Sequence, residues 1–223
     1  MNYYRFVQND QTHNNWLLFT ESTEPPYVTI RPDSSKFVCE KCKAIDHDEA
    51  FKHGLPSGLR IRARGNIFMT SEGFLCVDDQ ARQVIEESGF HGIAFQELTG
   101  TMWNVISVTC RVQAEPTAYE YSKNTCPQCK RPRGVTGLIR FLSQITVPER
   151  TNSFFAPTFD LCGSMSGDRE LFVTEDIVLR FKEQGVKGGM FERLLTKEEE
   201  SGFRAVVAAN QLFRWPKGAR VFL

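Results

Sequence analysis

The chain has 223 residues, 41% of them hydrophobic, which is ample for a buried core in one large domain or two small ones. Its 27 lysines and arginines balance 27 aspartates and glutamates, so there is no global positive field to gather nucleic acid and no polybasic arm. Residues 1–20 include Arg5, Asp10 and His13 and hold no long apolar run, which argues against a secretory signal or a membrane span and for a cytoplasmic protein.

Early in the chain, residues 23–35 read as a loop, marked by Glu24-Pro25-Pro26 and Arg31-Pro32-Asp33. Cys39-Glu40-Lys41-Cys42 follows. Its two intervening residues let a tight turn aim both sulfurs at a single metal ion. His47 and His53 come soon afterwards and compete as ligands. Residues 59–64, Leu-Arg-Ile-Arg-Ala-Arg, alternate apolar and basic side chains with period two, the mark of a strand with a solvated face carrying Arg60, Arg62 and Arg64.

Segment 75–98 reads as strand, helix, strand. Asp78 is the expected N-cap of the helix. Ala81, Val84 and Ile85 recur at the spacing of a buried helical stripe. Gly89 ends the helix, because a C′ residue often needs positive φ. Gly89 and Gly92 therefore belong to a cap and turn, since a phosphate-binding loop presents its amides at the start of a helix rather than its end. Residues 93–98 return as a strand. Cys76, inside the first strand, reads as a small buried hydrophobe. Residues 103–113, rich in valine, isoleucine and threonine, predict a long strand that includes Cys110, a residue read in the same way as Cys76.

A second pair, Cys126-Pro127-Gln128-Cys129, has the same inner spacing as the first and is followed by the basic residues Lys130, Arg131 and Arg133. Residues 148–165 read as a loop, with a polar cluster at 151–153, and Cys162 near its end is expected to be more exposed than Cys76. Segment 171–194 then matches 75–98 without a gap. Leu171 falls on Leu75, Thr174 on Asp78, Gly185 on Gly89, Gly188 on Gly92, Phe191 on Phe95 and Leu194 on Leu98. It predicts the same strand, helix (Ile177, Val178, Phe181 inward) and strand. By the same logic residues 203–215 are expected as a strand answering 103–113, with a helix over 205–211 as the competing reading.

Seven cysteines, four of them in the two pairs, suit a reducing compartment with a metal site better than a disulfide framework. Cys39, Cys42, Cys126 and Cys129 are expected to share one structural Zn2+, which joins residues 36–47 to 123–133. A closed four-thiolate shell leaves no position for water, so this metal would hold structure and perform no chemistry. The expected fold is α+β: one compact domain over 1–223 with mixed or antiparallel sheets, two pseudo-repeated strand-helix-strand units at 75–98 and 171–194, and a pair of zinc knuckles. No nucleophile elbow, Walker loop, metalloprotease helix or dinucleotide fingerprint is found. Asp78-Asp79 and Glu198-Glu199-Glu200 read as helix-start and surface charges. The chain is therefore expected not to be an enzyme.

These features together resemble the bacterial double-CxxCG proteins, a family best known as a paralogous set in myxobacteria and associated with immunity to polymorphic toxins. The resemblance rests on Cys39-x-x-Cys42 after a tryptophan-containing N-terminal region, on the later Cys126-x-x-Cys129, and on the closing block 160–194. In that block Leu171-Phe172-Val173-Thr174-Glu175, Gly185-Val186-x-Gly188 and Phe191-x-x-Leu194 look like the family's terminal strand-helix-strand. Lys43 and Lys130 stand where the family has glycine after each second cysteine. The resemblance implies a cytosolic protein that binds and neutralises a cognate toxin, and it implies no catalytic residue. Trp16, Trp103 and Trp215 are the aromatic candidates to anchor such a protein partner, and residues 198–200 are an acidic surface able to mimic nucleic acid toward a nuclease. The alternative is a zinc-ribbon nucleic-acid binder, using Lys130, Arg131 and Arg133 beside the second knuckle and the arginine face at 60–64.

Overall fold

The computed structural model describes residues 1–7, 16–21, 28–56, 61–115, 120–121, 125–130, 135–136, 139–157, 170–209 and 215–223. In chain order its strands are β1 (Tyr3–Val7), β2 (Phe19–Glu21), β3 (Val28–Ile30), β4 (Ile67–Met69), β5 (Leu75–Asp78), β6 (Ile93–Glu97), β7 (Trp103–Val108) and β8 (Arg111–Val112). They continue with β9 (Glu120–Tyr121), β10 (Val135–Thr136), β11 (Phe154–Pro157), β12 (Phe172–Thr174), β13 (Met190–Arg193) and β14 (Arg220–Phe222). The helices are α1 (His47–His53), α2 (Asp79–Glu87), α3 (Glu175–Glu183) and α4 (Lys197–Ala208). The fold is mixed α+β.

Two sheets dominate. One has six strands in the order β14-β13-β1-β12-β11-β8, and the other has four in the order β4-β5-β7-β6. Pairing is antiparallel except between β8 and β11. Both sheets pack apolar side chains on both faces, and the six-stranded one also carries the buried charges Arg5 and Glu192. Alternate residues point to opposite sides. Leu75, Val77, Ile106, Val108, Phe154, Ala156, Val173 and Phe191 face a central core that lies between the sheets, and α2 and α3 add Ala81, Val84, Ile85, Ile177, Val178 and Phe181 to it. On the far side of the four-stranded sheet, Phe68, Cys76, Trp103 and Val105 pack under Leu17, Leu18, Phe19, Phe37, Val38 and Ile45. On the far side of the six-stranded sheet, Phe155 and Phe172 pack with Val112, Ile139, Ile145 and Leu194.

Segments 75–98 and 171–194 each contain strand, helix and strand. Both helices end alike. Gly89 and Gly185 take positive φ of 64° and 66°. The amides of Phe90 and Val186 then reach back to the carbonyls of Ile85 and Phe181, the Schellman closure. In each case the two strands run parallel with a third strand between them. That third strand is β7, which follows the first segment, and β1, from the start of the chain, for the second. The helix starts differ. Asp78 Oδ1 accepts from Ala81 N at 2.9 Å as expected, whereas Thr174 holds the N-cap position of α3 but its hydroxyl accepts from Ser153 N, just before β11, instead of from a helix amide.

Several local expectations are corrected. The run 103–113 is two strands, because Thr109 N and Cys110 N both turn onto the carbonyl of Gly92, a bulge that carries the chain from the four-stranded sheet to the six-stranded one. Residues 61–64 form no strand. Ile61 and Ala63 keep their inward packing and Arg62 and Arg64 remain exposed, but Gly65 must pass the 187–188 backbone, where an added Cβ would sit 2.6 Å from the Lys187 carbonyl oxygen. Arg60 lies outside the described residues. The loop expected at 23–35 contains β3 and a 3₁₀ turn at Pro32–Ser34, and that expected at 148–165 contains β11, whose residues are all buried. The strand expected over 203–215 is the end of α4, with 210–214 outside the described residues. Thr196 and Glu199 form a reciprocal capping box that starts this helix, a local signal stronger than the β propensity of Val206 and Val207.

Candidate metal centre

The first cysteine pair sits at the tip of a hairpin. Val38 and Ile45 form an antiparallel bridge, Cys39 N donates to Ala44 O at 2.9 Å, and Lys43 N donates to Cys39 O at 2.8 Å. Buried Phe37, Val38 and Ile45 root this hairpin in the cluster beneath the four-stranded sheet. Asp46 then caps α1 through Glu49 N. The second pair lies between β9 and β10, which pair antiparallel, and Lys130 N donates to Cys126 O at 2.8 Å. The two turns have the same backbone. Lys43 and Lys130, each following the second cysteine, take left-handed φ of 61° and 63°, a conformation that glycine adopts without strain.

The turns bring their sulfurs together across 87 positions of sequence. Cys39 Sγ lies 3.8 Å from Cys126 Sγ, and Cys42 Sγ lies 3.5 Å from Cys129 Sγ. All four sulfurs fall within 4.8 Å of one another, a group that could hold one metal ion. Cys126 is buried, and Cys39, Cys42 and Cys129 are half-buried.

The electrostatics of the quartet are uneven. The amides of Cys129 and Gln128 point at the Cys126 sulfur and hold its pKa down to about 6 against the opposing effect of burial. Burial raises Cys39, but the amides of Cys42 and Lys41 outweigh it and leave the thiol below its ordinary range. Burial pushes Cys42 up to about 12, and the neighbouring sulfurs add to the rise. Four thiolates this close repel one another, so a cation is what allows all of them to ionise together.

Neither histidine joins the quartet. His47 is buried with Nε2 2.6 Å from the Glu72 carbonyl oxygen and its ring against Phe74, while His53 pairs with Glu49 on the surface of α1. Cys76 lies fully buried in the four-stranded sheet, and burial raises its thiol pKa well above the ordinary value. Cys110 is half-buried. Cys162, Arg131 and Arg133 lie outside the described residues, and Lys130 is exposed.

Other surface candidates are more occupied than their sequences suggest. Glu199 pairs with Arg193 at 2.6 Å, and Glu200 accepts from Ser143 and Arg204. Of the run 198–200, Glu198 keeps the most open position. Trp103 is buried against Phe68, Trp16 packs half-buried on Phe19, and Trp215 lies half-buried under Arg220.

Two buried polar arrangements escaped the sequence reading. Glu72, fully buried, accepts from the amides of Leu17, Leu18 and Phe19 at 2.7 to 3.3 Å. Burial raises its carboxyl to about 7, although the amide bonds pull the other way. Arg5 bridges Glu170 at 3.3 Å and Glu192 at 2.7 Å, Arg220 reaches Glu192 at 2.7 Å, and Glu170 also accepts from Ile139 N. The only sequence signal for these was a charge set inside an apolar run, as in Tyr4-Arg5-Phe6.

No family model matches the chain, and no curated protein matches it. Among the described residues, no helix is long and apolar enough to cross a membrane.

Proposed function

We propose that this chain is a zinc-stapled immunity protein that binds and neutralises a cognate bacterial toxin in the cytoplasm. The observation that carries the reading is the matched geometry of the two knuckles. Each has the same carbonyl-to-amide closure and the same left-handed residue after its second cysteine. The double-CxxCG pattern asks for glycine at that residue, so Lys43 and Lys130 depart from it in side chain while keeping the backbone a glycine would take.

Zinc is the ion that suits the quartet. Four thiolates about 2.3 Å from a tetrahedral Zn2+ lie about 3.8 Å apart, and the two bridging sulfur contacts are 3.8 and 3.5 Å. Such a shell is closed, so the site's contribution is rigidity: it fixes the hairpin at 38–45 to the turn at 126–129 before any partner arrives. Preorganisation of this kind lowers the ordering cost of tight inhibitory binding. On this reading the chain is one compact unit and not an enzyme, and segments 75–98 and 171–194 are two copies of one strand-helix-strand unit, supported by their identical helix ends.

The test has two parts. Chain purified without chelator under reducing conditions carries one zinc, measured by elemental analysis. Affinity-tagged chain recovered from its native host brings down a toxin domain whose activity it blocks in vitro. Zinc-free protein defeats the metal reading, and recovery of the chain with no toxin partner defeats the immunity reading.

A second reading is favoured by Lys41, Lys43 and Lys130, which flank the cysteines, and is a zinc-ribbon contact with nucleic acid. It requires binding to short duplexes that weakens steeply with salt. Salt-independent or absent binding removes it.

A further inference from the structure

We propose that the cysteine quartet is a peroxide-sensitive modification site, in which oxidation replaces the metal bridge by two disulfides across the knuckles, Cys42–Cys129 and Cys39–Cys126. The proposal rests on the zinc reading above and adds the reactant, the pairing and the consequence. Three observations carry it. The quartet lies near the surface, with Cys39, Cys42 and Cys129 half-buried. Cys39 and Cys129, one from each knuckle, line an open surface cleft together with Ser35, Lys36, Asp46 and Gln128, so a molecule as small as a hydroperoxide reaches both knuckles from one side. And the sulfur contacts of 3.8 and 3.5 Å run between knuckles, which places each cleft-lining cysteine beside a resolving partner from the other knuckle.

The chemistry balances as follows. The Cys129 thiolate attacks one peroxide oxygen and breaks the O–O bond, giving a sulfenic acid and, after one proton is taken up, water. The Cys42 thiolate then attacks the Cys129 sulfur and expels hydroxide, which a second proton converts to water. The sulfur pair loses two electrons and the peroxide gains them. A second peroxide does the same through Cys39 and Cys126. Two peroxides therefore consume four thiolates, and Zn2+, stripped of its anionic ligands, leaves to solvent.

Because both disulfides span the knuckles, the oxidised chain stays tied where the metal had tied it. The contrary pairing, Cys39–Cys42 and Cys126–Cys129, would set the two turns free of each other. Cys76, fully buried in the sheet, takes no part.

Zinc-loaded full-length chain is treated with hydrogen peroxide in the presence of a chromogenic zinc chelator, and its disulfides are mapped by mass spectrometry of non-reduced peptides. The expected result is release of one zinc per chain, with cross-knuckle peptides dominant and thiol reductant restoring zinc uptake. A Cys76→Ser variant releases zinc at the same rate as wild type. Zinc retained under peroxide that oxidises free cysteine overturns this proposal and leaves the zinc reading standing, and so does release with disulfides confined to 39–42 and 126–129. A chain that is zinc-free before any peroxide is added overturns both.

Discussion

The outer faces of the two sheets are covered in different ways. Beyond the four-stranded sheet, the covering segments at 16–21 and 37–45 are held by Glu72, which takes the amides of Leu17, Leu18 and Phe19, and by the hairpin that carries half of the cysteine quartet. Beyond the six-stranded sheet, Glu170 takes the amide of Ile139, but here the buried carboxylate is paired with Arg5, which also holds Glu192. Both faces thus use a buried glutamate to satisfy backbone donors of irregular covering chain, which would otherwise be buried without partners. They differ in how charge is compensated. The ion pairs of the six-stranded face are built from side chains alone, whereas the quartet is a group that could hold a metal ion and, on the function proposed above, would take its compensating charge from one. On that proposal, order on the metal side is conditional on the ion, and order on the paired side is not.

The largest expected effect comes from breaking the conditional side. Cys39→Ser or Cys126→Ser should abolish stoichiometric zinc and cost on the order of 5 kcal/mol or more, since structural zinc supplies folding free energy directly. Cys76→Ser should cost about 1–3 kcal/mol, the penalty of a hydroxyl in an apolar site. Denaturant unfolding midpoints distinguish them, and equal midpoints would contradict the comparison. Next comes the paired side. Arg5→Met removes the shared cation between Glu170 and Glu192, leaving Glu192 to Arg220 and Glu170 to the Ile139 amide, and should cost about 3–5 kcal/mol, with part of the loss recovered when Glu170→Gln and Glu192→Gln are added. A chelator should leave the Arg5→Met penalty unchanged if the two faces are independent.

Glu72 gives the third prediction. Its folded pKa of about 7 lies above the ordinary 4.5, so between those values the folded state binds more protons than the unfolded one. Its contribution to stability is therefore greatest below about pH 4.5, falls as pH rises toward 7, and changes no further above that. The full swing is about 3 kcal/mol. Glu72→Gln should flatten the wild-type decline measured between pH 5 and 7, and an unchanged slope would place the proton elsewhere. The smallest effect compares the knuckles with each other. Lys43→Gly and Lys130→Gly remove a side chain from left-handed backbone and should each stabilise the zinc-loaded chain by about 0.5–1 kcal/mol in thermal unfolding. Opposite signs at the two positions would show that the turns are not equivalent.

The legibility of the structure follows interaction range. Asp78 as a cap, the apolar stripe of α2 and the glycine ends at 89 and 185 were readable because each acts within a few residues, where periodicity and φ preference govern. The cysteine quartet was readable because thiol spacing within each pair is a local property, and two equal pairs imply a common ion. Thr174 does stand at the N-cap of α3, but its hydroxyl leaves the helix amides uncapped, because a hydroxyl chooses between a helix amide and a neighbouring segment, and Ser153 wins only once β11 and β12 are side by side. The strand expected at 59–64 failed over its described residues, 61–64, for a similar reason. Its alternation was real, but the glycine passage at 65 denied it a ladder.

By itself, then, the amino-acid order specified units: which stretches alternate or recur as strand and helix, where helices stop, and which sulfurs form pairs. Folding in three dimensions decided which strand fills the gap in each strand-helix-strand segment, β7 from behind or β1 from far ahead. It also decided that Arg5, Glu170, Glu192 and Arg220 meet, and that a lone Glu72 collects the amides of a distant segment. The division has a physical cause. Backbone preference and hydrophobic period act over one or two turns of chain, whereas the pairing of a buried charge or an unfilled sheet position is fixed by whichever remote group the collapsed core brings within hydrogen-bonding reach.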